Sequence, residues 1–236
     1  MSFKIYGIKW KPAPEESITS VSFNADKFVK YISGHEQIIS PITDTKRLSK
    51  YRKSIYALDE LVAFSILQAI RDAGVEIAKG KLFKVEGIAE SIGVAGNHKK
   101  LFARLLEVLE ESGLIAKTDD GFEFTQEASI LLDTRPHETF LDKYKHAEHE
   151  FEFVRHCGEK LKDVLTGNVD AISVLFPEGN FNMAEKIYRD SPGFELMNNT
   201  VSRILSKLYH IVNSGRKLRI LEIGAGTGST TIGAVK

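Results

Sequence analysis

A single cysteine, Cys157, is all that 236 residues contain. That excludes an internal disulfide framework and a cysteine-based zinc finger, and it fits a reducing compartment. Excess charge is also missing, since 32 Lys and Arg balance 32 Asp and Glu. A formal net charge of zero gives no global attraction to nucleic acid or to an anionic membrane, though it leaves room for a local basic patch. No run approaches the ~18 apolar residues of a membrane span, and MSFKIYGIKWKPAPEE lacks the apolar centre of a signal peptide. Internal repeats, low-complexity tracts, a Ser-His-Asp arrangement and a P-loop lysine are all lacking. The expectation is a soluble, cytoplasmic protein with one or two cores.

What the chain does have is helical periodicity. Residues 3–10, FKIYGIKW, alternate like a strand that KPAPEE stops. Residues 15–55 are mixed and polar, with a short helix expected around Ala25–Ile32 and a basic stretch from Lys46 to Lys53. YALDELVAFSILQAIRDAG then places Leu58, Leu61, Val62, Ser65, Ile66 and Ala69 at helical spacing, closed by Gly74. VEGIAESIGV predicts a short helix ending at Gly93. NHKKLFARLLEVLEESG predicts a third, with Asn97 as N-cap, Leu101, Leu105, Val108 and Leu109 as the apolar stripe, and Gly113 as C-cap. LIAKTDDGFEFT reads as a hairpin around Asp119-Asp120-Gly121. Three helices followed by a hairpin is the order of a winged helix. Beyond it, DKYKHAEHEFEFVRHCGEKLKDVL predicts one long helix. AEKIYRDSPGFELMNNTVSRILSKLYHIVNSG predicts two, broken at Ser191-Pro192-Gly193 and ended by Asn213-Ser214-Gly215. Lys217–Ile223 has the short apolar pattern of a buried parallel strand.

That run leads into RILEIGAGTGST, with glycines at 224, 226 and 228 rather than in the G-x-G-x-x-G spacing of dinucleotide enzymes. Glycines let a backbone turn sharply and approach a ligand without Cβ interference. Ser229, Thr230 and Thr231 suit the first turn of a helix, whose free N–H groups face back to the ligand. Glu222, two residues before the turn, would repel a pyrophosphate but suits a ligand bearing ammonium and sulfonium charges. The same run would also serve as a tight turn in another doubly wound domain.

LEIGAGTGS resembles the first motif of class I S-adenosylmethionine-dependent methyltransferases. The resemblance implies that Gly224, Ala225, Gly226, Thr227 and Gly228 wrap the methionine part of the cofactor and that Glu222 fixes its amino group. VLFPEGNFNMAEKIYRDSPGFELMNNTVSRIL resembles the segment before that motif in the C-methyltransferase domains of polyketide synthases, through Leu175, Phe176, Pro177, Gly179, Tyr188, Ser191, Pro192 and Asn198. IYGIKWKPAP, with Trp10, is similar to the strand and proline-rich link that opens such domains. Tyr188 and Asn198 are thereby added to the cofactor-binding candidates; plain helix packing would account for them equally. The implied reaction moves a methyl group from S-adenosylmethionine to the α-carbon of an acyl chain on a carrier protein. The implied partners are the acyl carrier protein, neighbouring synthase domains and the remainder of the methyltransferase core.

The ribose-binding acidic residue, by analogy about 20 residues past the turn, would fall beyond Lys236, and so would the adenine pocket and the catalytic base. Residues 1–236 alone are therefore expected to bind cofactor poorly and to transfer no methyl group. The alternative is a vestigial methyltransferase acting as an adapter or dimerisation module in a loading module. A DNA-binding winged helix is a third reading, carried by His98, Lys99, Lys100 and Arg104. Glu107, Glu110, Glu111 and the acidic hairpin oppose it, and the expectation is no nucleic-acid partner and no membrane. His146, His149 and His156, with Glu150 and Glu152, could share a helix face and hold a metal, but surface histidines on a charged helix describe them as well, and no metal is expected. Cys157 reads as a small core residue.

The expected fold is mainly α with small β: a winged-helix-like and helical lid region followed by the first strand and turn of a truncated Rossmann-like methyltransferase core. The expected divisions are 1–55, an N-terminal strand and linker; 56–128, winged-helix-like; 129–215, a helical lid; and 216–236, the start of the core.

Overall fold

The structure, a computed structural model, describes residues 25–34, 45–212 and 220–234. The strand expected over residues 3–10 and positions 217–219 of the last strand lie outside the described residues. A short helix α1, Ala25–Ser33, matches the expected one, and α2, Thr45–Asp72, is the long axis against which two apolar cores form. The α2 helix begins at Thr45 rather than Tyr56 and so crosses the expected boundary at 55/56. Its added turns carry the basic stretch from Lys46; Lys and Arg are good helix formers and need no apolar stripe. The helix closes as the glycine predicted, with the Val75 N–H donating to the Ile70 carbonyl at 3.3 Å.

Next come β1, Leu82–Phe83; α3, Val85–Ile92; α4, Lys99–Glu111; β2, Ile115–Thr118; and β3, Gly121–Phe124. The strands form one antiparallel sheet in the order β1-β3-β2, with Phe83 opposite Phe122 and Ile115 opposite Phe124. Helix, strand, two helices and a hairpin make this unit winged-helix-like. Two details of α4 differ from the sequence reading. A 3₁₀ turn over Gly96–His98 takes up Asn97, so the helix starts at Lys99 with no side-chain cap. The buried stripe is Phe102, Leu106 and Leu109, while Leu101 is exposed. The large Phe102 ring rotates the inward face by one position, because it has the most apolar surface to bury.

The α2 helix is buried on two sides, which its sequence stripe does not show. Ala63, Phe64, Ile66, Leu67 and Ile70 join the core of the winged-helix-like unit. Leu58 and Leu61 face the other way, onto Phe140, Ala147 and Phe151. Val62 and Ser65, expected inside, are only partly covered.

The next helices are α5, Gln126–Thr134; α6, Phe140–Tyr144; α7, Glu148–Glu159; α8, Leu161–Leu165; and α9, Ala171–Leu175. Phe140 of α6 and Phe151 of α7 build the second core, whereas Ala128, Leu131 and Leu132 of α5 and Leu165 of α8 join the first. The single helix expected over 142–165 is thus three segments, interrupted at Lys145–Ala147 and Lys160. Tyr144 leaves helical geometry at φ −129°. The resulting bend lets Phe140 stack on Phe151 at 5.0 Å over Leu58 and Leu61, a contact one straight rod does not provide.

The last long helices are α10, Asn182–Asp190, and α11, Pro192–Val212. Ser191, forced extended by the following proline, adopts φ −63° and ψ 139° between them. Gly193, in the first turn of α11, lies against the Tyr51 ring of α2; an added Cβ would sit 2.8 Å from a ring carbon. The Tyr51 hydroxyl donates to Glu150 at 2.9 Å, so the ring is not free to retreat. Gly193→Ala is expected to lower stability by about 1–2 kcal/mol in urea unfolding, the clash exceeding the gain in helix propensity. An unchanged or higher midpoint would contradict this packing.

Candidate functional site

The described part of the last apolar run, residues 220–223, has no ladder partner among the described residues and joins no sheet. A strand needs a neighbour to pair its backbone. Ile220, Leu221 and Ile223 accordingly remain 59%, 83% and 88% exposed. Immediately after them the chain turns. Gly224, Gly226 and Gly228 have φ of 77°, 57° and 71°, the left-handed region that costs glycine little. The Gly228 N–H donates to the Ala225 carbonyl at 2.8 Å and closes the turn. A short helix, α12, Ser229–Ala234, comes next and packs along α11. There the Ser202 hydroxyl donates to the Gly233 carbonyl at 2.7 Å.

This arrangement leaves a cleft of about 990 Å³ between the turn and the helices before it. One wall is aromatic. Phe176 and Phe181 meet at 4.8 Å, Tyr188 and Phe194 meet edge-on at 4.7 Å, and Phe153 reaches in from α7. The opposite wall is backbone and hydroxyl, from the turn together with Thr227, Ser229 and Thr230. The Thr227 and Ser229 hydroxyl oxygens are 2.8 Å apart. Among the described residues Glu185 is the one carboxylate in the lining, and Arg189 donates to it at 2.8 Å. Arg189 also pairs with Asp190, whose carboxyl it holds below the usual carboxylate range.

Of the expected cofactor residues, Tyr188, Asn198, Gly224, Ala225, Gly226 and Thr227 meet in this cleft. Glu222 and Gly228 do not line it; Glu222 is exposed at the threshold of the turn. Both ends of the Asn198 amide are taken by protein groups. Sequence reasoning missed Phe153, Phe181, Glu185 and Phe194, and treated Ser229 and Thr230 only as a helix start. The LFPEGNF and DSPGF segments carried a signal for Phe181 and Phe194, whereas Phe153 in a charged helix gave none.

The other candidates are placed elsewhere. His156 Nε2 lies 3.1 Å from the Val174 carbonyl, and His149 Nε2 lies 3.9 Å from Asp190. Among the described residues no three His, Cys, Asp or Glu side chains converge as metal ligands. Arg104, a candidate phosphate contact, is paired with Glu107 and Glu111 at 2.8 Å each. Burial pushes the Cys157 thiol up, which keeps it protonated. No described helix is long and apolar enough to cross a membrane.

No protein-family model matches the chain. It is 31% identical over 173 residues to the non-reducing polyketide synthase adrD of Penicillium roqueforti, covering 72% of this chain and 7% of that synthase. It is 29% identical over 227 residues to the non-reducing polyketide synthase nvfA of Aspergillus novofumigatus, covering 93% of this chain and 10% of that one. In fold it is similar to the CurJ carbon methyltransferase, with a TM-score of 0.69 at 24% identity over 88% of this chain and 55% of the other. The CMeT domain of the citrinin polyketide synthase gives 0.67 at 24%, over 88% and 54%. The chain therefore spans about half the length of these solved domains and a small fraction of the curated synthases.

Proposed function

Because the chain has the fold of the N-terminal portion of a polyketide-synthase C-methyltransferase domain and is related in sequence to non-reducing polyketide synthases, we propose that it forms the lid and cofactor cradle of such a domain. The observation that carries this reading is the run of left-handed glycines at the mouth of an aromatic cleft. With no Cβ at 224 or 226, backbone can lie against a ligand, and the volume is at the upper end of small-molecule sites, about 300–1,000 Å³. S-adenosylmethionine fits this lining. Its methionyl part would lie along Gly224–Thr227, with flat aromatic side chains available to its apolar portions. Glu222 is the carboxylate nearest the turn in sequence and must swing in from solvent to meet an ammonium group. When bound, the cofactor supplies an electrophilic methyl group on sulfur.

The chain's residues would bind and orient the cofactor and exclude water through the Phe176, Phe181, Tyr188 and Phe194 wall. The acceptor would be the α-carbon of an acyl chain held on an acyl carrier protein, with neighbouring synthase domains as partners. Glu185, occupied by Arg189, is a poor base for that carbon, so the base would come from the remainder of the methyltransferase core. The winged-helix-like unit and the helices after it, roughly 56–128 and 129–215, act as lid, joined by α2.

Amide chemical shifts of the labelled chain, titrated with S-adenosylhomocysteine, test the cradle even at millimolar affinity. Shifts are expected at 224–231 and near Tyr188, with none on titration with NAD. Equal response to NAD, or no response at the turn, would overturn the cradle and leave the adapter reading.

A further inference from the structure

Pro192 has a consequence at Tyr188. In a continuous helix the Tyr188 carbonyl would accept from the N–H of residue 192, but proline has none. The Asn198 side chain replaces it, with Nδ2 donating to the Tyr188 carbonyl at 2.9 Å. The other end of the same amide, Oδ1, accepts from the Thr230 hydroxyl at 2.8 Å. The amide's orientation is fixed by chemistry, since a carbonyl can only accept and the hydroxyl can donate. Thr230 lies two residues past Gly228, in the first turn of α12. One side chain on α11 therefore links the end of α10, which carries Tyr188 of the aromatic wall, to the exit of the glycine turn. Ser202, one helical turn along α11, gives α12 its second attachment through Gly233.

We infer that Asn198 is a positioning residue that sets the glycine turn against the aromatic wall by bridging the Tyr188 carbonyl and the Thr230 hydroxyl, and is not itself a ligand of whatever fills the cleft. Both its amide nitrogen and its amide oxygen are bonded to protein groups, and the role needs a donor at one end and an acceptor at the other. Aspartate supplies only acceptors when ionised and regains a donor when protonated. This inference deepens the cofactor reading but does not need it, because it rests on the protein-to-protein bonds of the bridge.

The test uses the 236-residue chain and backbone ¹⁵N order parameters at 226–233, with no cofactor present. In the parent chain these residues are expected near the rigid value of about 0.85, and in Asn198→Ala to fall toward 0.6 or below, while β2 and β3 are unchanged. Asn198→Asp is expected to match the alanine variant at pH 7 and to return toward the parent as pH falls through the carboxyl's ordinary value of about 3.9, each compared with the parent at the same pH. Thr230→Ser is expected to retain the rigid turn, Thr230→Val to lose it, and the Asn198→Ala/Thr230→Val pair to be no worse than either alone. Unchanged order parameters in Asn198→Ala, or an Asn198→Asp variant that ignores pH, would overturn the bridge. A turn that loosens in Asn198→Ala in a chain whose parent never responds to S-adenosylhomocysteine upholds the bridge and overturns the cofactor reading alone.

Discussion

Gly226→Val is expected to weaken the apparent affinity for S-adenosylhomocysteine by about 5- to 150-fold, while the helical cores remain folded. Two costs combine at this position. Gly226 has φ 57°, and a β-branched residue in the left-handed region is a steric outlier costing about 1–3 kcal/mol. The chain can relieve that strain only by reshaping the turn. If it does not, the isopropyl group stands where the lining is now bare backbone. Either way the close approach is lost, and each 1.4 kcal/mol of lost binding is about tenfold in affinity. The turn is exposed and outside both apolar cores, so the melting temperature should move by only a few degrees. Ala225→Gly, at a neighbour without positive φ, should bind nearly as the parent does. Titration of all three chains followed by amide shifts checks the order. Equal affinity of Gly226→Val and parent would mean that the turn does not contact the ligand.

How far the sequence could be read depends on the range of the interactions involved. The glycine turn, the Ser191-Pro192 break and the Asp119-Asp120-Gly121 hairpin are local, and their residues constrain backbone angles directly, so they were legible. Neither break, at 145–147 or at 160, carries a proline; the first lets Phe140 pack on Phe151, which is a tertiary requirement. The N-terminal turns of α2 have no apolar period because their anchors are Tyr51, through Glu150, and the buried Ser54, whose hydroxyl donates to the Tyr51 carbonyl. The cleft shows the same division. Gly224, Ala225, Gly226 and Thr227 are contiguous, whereas its aromatic wall is gathered from α7, the turn after α9, α10 and α11. Asn198 was singled out for the cofactor, yet its contacts to Tyr188 and Thr230 span 10 and 32 residues, and no spacing rule reveals them. Ile220–Ile223 has the composition of a buried strand, but composition does not supply the neighbour that a ladder requires.

The largest stability loss from one atom is expected at Tyr51. Glu150 is only 8% exposed, and its Oε2 has no partner. Its Oε1 has the Tyr51 hydroxyl at 2.9 Å. Tyr51→Phe keeps the ring against Gly193 and removes that donor, leaving a buried carboxylate with neither oxygen bonded. A cost of about 2–3 kcal/mol is expected, more than an ordinary hydrogen bond contributes, because the acceptor is charged and stays desolvated. Replacing both partners removes the orphan, so Tyr51→Phe/Glu150→Leu should recover most of the loss. The pH dependence has a definite sign. Burial first, and then the Glu150 carboxylate, hold the Tyr51 phenol above its ordinary value of 10.0. A group raised in the folded state contributes stability fully below its unfolded value and loses it as pH rises toward the folded one. The parent should therefore lose stability above about pH 10, a decline whose Tyr51 component is absent in Tyr51→Phe. Urea unfolding at pH 7 and at a series of alkaline pH values reads both effects. A Tyr51→Phe variant as stable as the parent at pH 7 would show that water, not Tyr51, satisfies Glu150. In that case the joint between α2, α7 and α11 would not depend on this bond.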